Sequence, residues 1–194
     1  MKEIKHDIVS RAPEPGKLVL IHALEISRPA STFNSVVLSA MDVNTHLQLG
    51  RMYFVSSLAA TIDFLHFLAK VFPFPIEEIR TDDHPLFASE SNRQLEHRFT
   101  LAAHQVGIKH SIRDVHDTSV ESLLRWYFFH DGRNELSGTS ADEKTLPAEL
   151  EKFLFFHNHH RSLPTIGGKT PIEELRRHKA YKDFGTFNPQ NDGN

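Results

Sequence analysis

The sequence predicts an α/β protein built on a five-stranded mixed sheet flanked by helices. Three observations carry this. Residues 17–55 hold three apolar, β-branched runs separated by short polar breaks, the pattern of an antiparallel meander. Residues 58–129 then alternate helical apolar spacing with two short strand-like runs. Finally, 194 residues at 39% hydrophobic and 24% charged are enough to bury one core without covalent staples.

Residues 1–16 contain Pro13, Pro15 and Gly16 and no apolar period, so they are expected to form an N-terminal arm. Residues 17–26 read as the first strand, 27–33 as a loop and 35–43 as the second strand. Asn44 and Thr45 supply a turn, and residues 47–55 form the third strand. Ser56 or Ser57 can cap a helix whose residues Leu58, Ile62, Leu65, Phe67, Leu68, Val71 and Phe72 keep mostly helical spacing up to Pro73. Residues 76–81 are the fourth strand and 82–91 a loop. Residues 92–106 form a helix stopped by Gly107, and 108–112 the fifth strand. Val120, Leu123, Leu124, Tyr127 and Phe128 mark a helix over 118–129. Residues 131–144 are rich in Gly, Ser and charge and read as a loop or disordered insert. A helix over 146–161, a Gly167-Gly168 turn, a capped helix over 170–178 with Pro171 at its first position, and a tail over 179–194 complete the chain. The order βββαβαβα is that of the ribonuclease-H-like fold, with residues 17–178 as its one domain.

Composition excludes several classes. With no cysteine there is no disulfide, thiolate zinc site or cysteine nucleophile. No run approaches the roughly 18 apolar residues of a membrane span, and the charged N-terminus is not a secretory signal, so a cytoplasmic location is expected. A formal charge of -3 lacks the excess of a protein that neutralises many phosphates, so nucleic-acid binding needs a local patch. Arg161, Lys169, Arg176, Arg177, Lys179 and Lys182 offer one, and the same residues also read as a solvated helix surface. Fourteen histidines would turn the net charge positive on mild acidification.

The stretch from Pro73 to Asp83 stands out, because an apolar run breaks off into the adjacent carboxylates Asp82 and Asp83. A strand end of this kind delivers a side chain to the carboxyl edge of the sheet, where open α/β sheets place ligands. A solvated turn is the alternative.

Several separated stretches resemble the catalytic core of the retroviral-integrase superfamily, above all the bacterial insertion-sequence transposases with an Asp, Asp, Glu triad. These are residues 72–82 followed by Phe87, the segment Gly107-Ile108-Lys109-His110, and Phe153 to Arg161 with His157-Asn158-His159-His160-Arg161. Leu163, Gly167-Gly168-Lys169-Thr170-Pro171 and Leu175 follow in order. The resemblance implies DNA cleavage and joining by in-line displacement at phosphorus, with Mg²⁺ or Mn²⁺ held by three carboxylates. It also implies DNA as partner and a homodimer. Residues 1–16 leave no room for the N-terminal DNA-reading domain of family members, so a fragment or a truncated gene is expected. Lys109 joins Arg161, Lys169, Arg176 and Arg177 as implied DNA contacts.

Carried over position by position, Asp82 falls on the second carboxylate, with Asp83-His84 in place of the usual Asn-Gly, so that loop is expected to be reshaped. Glu121 is the best match for the third. The run Thr118-Ser119-Val120-Glu121 is also a capping box, with Arg125 one turn on, and the preceding residues depart from the family pattern. The first carboxylate falls on His22. An imidazole can ligate a metal but brings no negative charge and favours softer ions than Mg²⁺. Glu25 should face the opposite side of the strand, and Asp42 reads as structural.

His157, His159 and His160 invite a zinc reading, yet no third ligand is convincingly spaced and the family signature accounts for the cluster. Trp126 to Phe129 suit core or dimer packing. The leading expectation is a core homologue whose chemistry is lost or reduced because His22 replaces the first Asp. The alternatives are an active metal-dependent strand-transfer enzyme with an unusual site, and an oligomerising or regulatory module without nucleic acid.

Overall fold

The computed structural model describes residues 14–26, 35–88, 97–112 and 145–184. Five strands, β1 (Val19–Ile26), β2 (Ser35–Asp42), β3 (Gln48–Tyr53), β4 (Glu78–Thr81) and β5 (Lys109–Ile112), form one sheet in the order β3-β2-β1-β4-β5. The helices are α1 (Leu58–Val71), α2 (Arg98–Gln105), α3 (Leu146–His159) and α4 (Pro171–Arg176). β1, β2 and β3 pair antiparallel as a meander, while β1–β4 and β4–β5 are parallel. The expected βββαβαβα order is thereby met up to the fifth strand. The helix expected over 118–129 and the insert over 131–144 lie outside the described residues.

Side-chain alternation divides the sheet into two faces. Val19, Ile21 and Ala23 of β1, Val36, Leu38 and Ala40 of β2, and Ile79 of β4 join the main core against Phe64, Leu65 and Leu68 of α1 and Phe99 and Ala103 of α2. On the opposite face Leu24 and Val37 pack under Leu146 and Leu150 of α3. That helix comes close because β3 carries Gly50, where a Cβ would lie 3.3 Å from a Leu154 methyl.

Local chemistry sets the boundaries. The Ser57 hydroxyl accepts from the Ala60 amide at the start of α1, and α4 opens with a reciprocal capping box between Thr170 and Glu173 behind Pro171. At the other end of the domain Asp42 is fully buried. Its Oδ1 accepts from the Gly16 amide at 2.8 Å, and its Oδ2 from the Thr45 amide and hydroxyl at 2.7 Å each. Burial pushes its carboxyl above the ordinary range despite those bonds. Asp42 thus ties the entry of β1 to the β2–β3 turn, the structural part expected of it. No helix among the described residues is long and apolar enough to cross a membrane.

Candidate functional site

Two strands bring the first candidates together. β1 and β4 run in parallel register, with Ile21 opposite Thr81, so the next residues, His22 and Asp82, stand side by side at the carboxyl edge. Alternation turns both toward the face opposite the main core, since Ile21 and Ile79 point into that core. His22 Nδ1 lies 3.7 Å from Asp82 Oδ2, with side chains 9% and 11% exposed. That separation exceeds a hydrogen bond but leaves the imidazole and the carboxylate as immediate neighbours. Glu25, three residues on, is exposed and accepts from the Ser56 hydroxyl at 3.2 Å, so it takes no part in the site.

The loop after β4 is organised by Asp82 itself. Its Oδ1 accepts from the His84 amide at 3.3 Å, a turn built without glycine. Among the described residues His46 is the one non-glycine with positive φ, so His84 occupies ordinary backbone space and the Asn-Gly geometry is absent. Phe87 anchors the loop, fully buried with its ring edge-on to Phe99 at 5.2 Å.

Behind Asp82 runs a hydrogen-bond chain that no motif or spacing in the sequence signals. The Thr81 hydroxyl donates to the Asp82 carbonyl at 3.0 Å, leaving its lone pair to accept from His110 Nε2, also at 3.0 Å. His110 Nδ1 therefore accepts from the Thr100 hydroxyl at 2.8 Å. His110 is neutral in this arrangement. Burial, helped by the charges of His97 and His104, lowers its pKa to about 4.

A second network lies on the same face as Asp82. Glu78 receives Arg80 at 2.9 Å, Ser111 at 2.7 Å and Lys109 at 2.8 Å. Burial alone would raise this carboxyl, but Lys109, Ser111 and Arg80 outweigh it and bring it to about 2. Lys109 is thus engaged within the sheet. Other basic residues are also in use. Lys169 Nζ sits 3.7 Å from Glu174 and Arg177 3.2 Å from the same buried carboxylate, while Arg176 donates to the Phe184 carbonyl at 2.8 Å. Arg161 lies just beyond α3, half-buried. Glu121 lies outside the described residues.

The histidine signature on α3 divides. His157 is buried, its Nε2 3.1 Å from the His46 carbonyl, and the Asn158 side-chain amide spans the backbone of Gln48, accepting at 2.9 Å and donating at 2.8 Å. His159 instead stacks on exposed Phe155 at 4.5 Å, and His160 contacts Phe155 and Phe156. The three imidazoles do not face one point, and among the described residues no group of three or more His, Cys, Asp or Glu is placed to hold a metal.

The fold is shared with retroviral integrases. The catalytic core domain of BIV integrase superposes with a TM-score of 0.62 at 17% identity, covering 86% of this chain and 98% of that one. The dimeric form of the HTLV-2 integrase core, solved with magnesium, gives 0.57 at 18% identity over 81% and 94%. A chain of the simian T-cell lymphotropic virus intasome in complex with the PP2A regulatory subunit B56 gamma gives 0.64 at 18% identity over 85% of this chain, which spans 56% of that one. No protein-family model and no curated protein matches the sequence. The chain therefore has the ribonuclease-H-like fold of retroviral integrase catalytic cores.

Proposed function

We propose that this protein is a transposase or integrase catalytic-core homologue, associated with DNA integration or transposition, whose strand-transfer chemistry is lost or strongly reduced. The observation that supports this most is the pairing of His22 with Asp82 at the edge where strand-end ligands gather, 3.7 Å apart. In this reading Asp82 is the second carboxylate, Glu121 the third, and His22 occupies the place of the first.

Magnesium or manganese ions held by three carboxylates would stabilise the attacking and leaving oxygens in phosphoryl displacement. The donor set here fits a magnesium pair poorly. A neutral imidazole supplies no negative charge, and Mg²⁺ takes oxygen ligands. What the chain's own groups do is narrower: Asp82 orders its loop through the His84 amide, and Thr81 and His110 hold the end of β4 in place.

DNA is the proposed partner, through Arg161, Lys169, Arg176, Arg177 and Lys109, in a cytoplasmic protein. Lys169 and Arg177 share Glu174, and Lys109 is bound to Glu78, so the charge left for phosphates is small. Affinity for duplex DNA measured across salt concentrations tests this partner. Binding at low salt with a log–log slope shallower than about -4 is expected for so few free cations. No binding at low salt would instead favour an oligomerising or regulatory module without nucleic acid, the second reading, which the prior engagement of these cations supports.

A homodimer is proposed as well, through α3, where Phe155 and Phe156 remain 57% and 50% exposed beside their histidines.

A further inference from the structure

The sheet ends at β3, and the outer backbone of that strand is only partly covered. The Asp42 amide donates to the Leu47 carbonyl at 3.0 Å, so alternation turns the peptide groups of Leu49, Arg51 and Tyr53 toward β2 and those of Gln48, Gly50 and Met52 outward. The Asn158 side chain serves Gln48 as a neighbouring strand would, accepting at 2.9 Å and donating at 2.8 Å. Among the described residues nothing does the same for Gly50 or Met52. The strand also carries neither proline nor lysine, the residues that commonly blunt an open edge. Just beyond it Phe54 is 51% exposed.

The side chains here are complementary to a second copy of themselves. Arg51 and Asp63 are both exposed and pair at 3.0 Å, and the Tyr53 hydroxyl donates to the same carboxylate at 2.6 Å. A two-fold axis through Met52, perpendicular to the sheet, sets Arg51 opposite Tyr53 and Asp63 of the second copy, and does so twice. It also sets Phe54 opposite Gly50, which has no side chain and has Leu154 close beside it.

We infer that β3 is a strand-addition edge for a second copy of this chain: two β3 strands pair antiparallel about Met52 and join the two five-stranded sheets into one. The inference deepens the proposed homodimer and rests on that reading. Asn158 reaches the outer edge of β3, and Phe155, one helical turn earlier, lies on the same side of α3, so the exposed aromatic surface borders the seam. Met52 exchanges both backbone hydrogen bonds with its counterpart, and Gly50 exchanges both with Phe54. Arg51 and Tyr53 fall at the intervening position, where Cα atoms approach to about 4.5 Å. Asn158 fixes the register, because a seam centred on Gly50 would set Met52 against Gln48, whose outward groups are already held.

Sedimentation velocity of the full chain over a concentration series, with hydrogen exchange at the same concentrations, tests the seam. The chain should dimerise, and the Gly50 and Met52 amides should exchange at least about tenfold more slowly in the dimer than in the monomer. Met52→Pro removes an outward N–H and leaves the β2 ladder whole, so it should raise the dissociation constant at least about tenfold with native circular dichroism. Arg51→Asp and Asp63→Arg each set like charges across the seam, and each should weaken the dimer at least about tenfold at low salt. Mixed in equal amounts, these two variants should restore it, because opposite charges then face each other at both ends; this arm does not depend on how β3 tolerates proline. A chain that stays monomeric, a dimer whose Gly50 and Met52 amides exchange as in the monomer, or a mixture as weak as its components would overturn the inference. A dimer that withstands these variants but yields to Phe155→Ser with Phe156→Ser also overturns it, and leaves the proposed homodimer through α3 in place.

Discussion

His110 shows how one residue's environment becomes a property of the whole protein. Its ring bridges Thr100 and Thr81 as a neutral group, with a folded-state pKa of about 4 against 6.5 for a free imidazole. A base whose folded pKa is depressed binds its proton first in the unfolded chain. Stability is thus complete above pH 6.5, falls as the pH drops toward 4 and levels off below. Discounted for the solvent that still reaches the ring, the loss between pH 7 and pH 5 is about 1–2 kcal/mol. Urea unfolding at pH 7, 6 and 5 should show that slope, and His110→Gln should flatten it by a similar amount. Parallel pH profiles for the two proteins would contradict the hydrogen-bond chain. Of this, the sequence disclosed only that a histidine follows Gly107-Ile108-Lys109. Its burial depends on Phe99 arriving from α2, with ring centroids 4.9 Å apart, a contact that no spacing rule encodes.

At the scale of elements, the sheet edges and entries depend on a few polar clamps. Asn158 satisfies both backbone groups of Gln48 on the edge strand β3, so Asn158→Ala leaves a buried N–H and a buried C=O unpaired. A loss of about 2–4 kcal/mol in chemical denaturation is expected, with α3 and β3 opening first in hydrogen exchange. Gly16 has φ +82 and offers its amide to Asp42, and a Cβ there would strike the Pro75 carbonyl. Gly16→Ala should therefore cost about 2 kcal/mol or more. The strands were legible because β-branched runs and turn residues agree with the observed pairing: residues 35–43 and 17–26 differ from β2 and β1 by a residue or two. The fourth strand, read from residue 76, begins at Glu78, and Glu77 just before it donates to the Gly16 carbonyl and accepts from the Lys109 amide, both at 2.9 Å. The fate of the basic residues was not legible. Lys169 and Arg177 look free in sequence, and only folding reveals that α4 and the glycine turn gather them on the buried Glu174.

The whole molecule joins the fold of integrase catalytic cores to a strand edge that carries His22 and Asp82. Phe64, Phe87 and Phe99 are fully buried, and Phe64→Ala should cost about 3–5 kcal/mol, as any large core truncation would. The α3 surface leads to a separate expectation. Phe155→Ser with Phe156→Ser should shift sedimentation toward monomer with the fold intact, and an unchanged sedimentation profile would argue against a dimer through that helix. The arrangement of the site was partly readable: parallel pairing of β1 and β4 follows from the element order, and it sets His22 beside Asp82. Their separation and orientation were beyond any sequence, since both depend on how the two strands stack in register.

The proposed loss of metal-dependent DNA strand transfer at this edge is open to direct test. The direct measurement is nicking of a labelled DNA end by the full chain in Mg²⁺ and in Mn²⁺, beside Asp82→Asn. No cleavage above the level of that variant is expected with either ion. Robust cleavage by the natural sequence, abolished by Asp82→Asn, would contradict it.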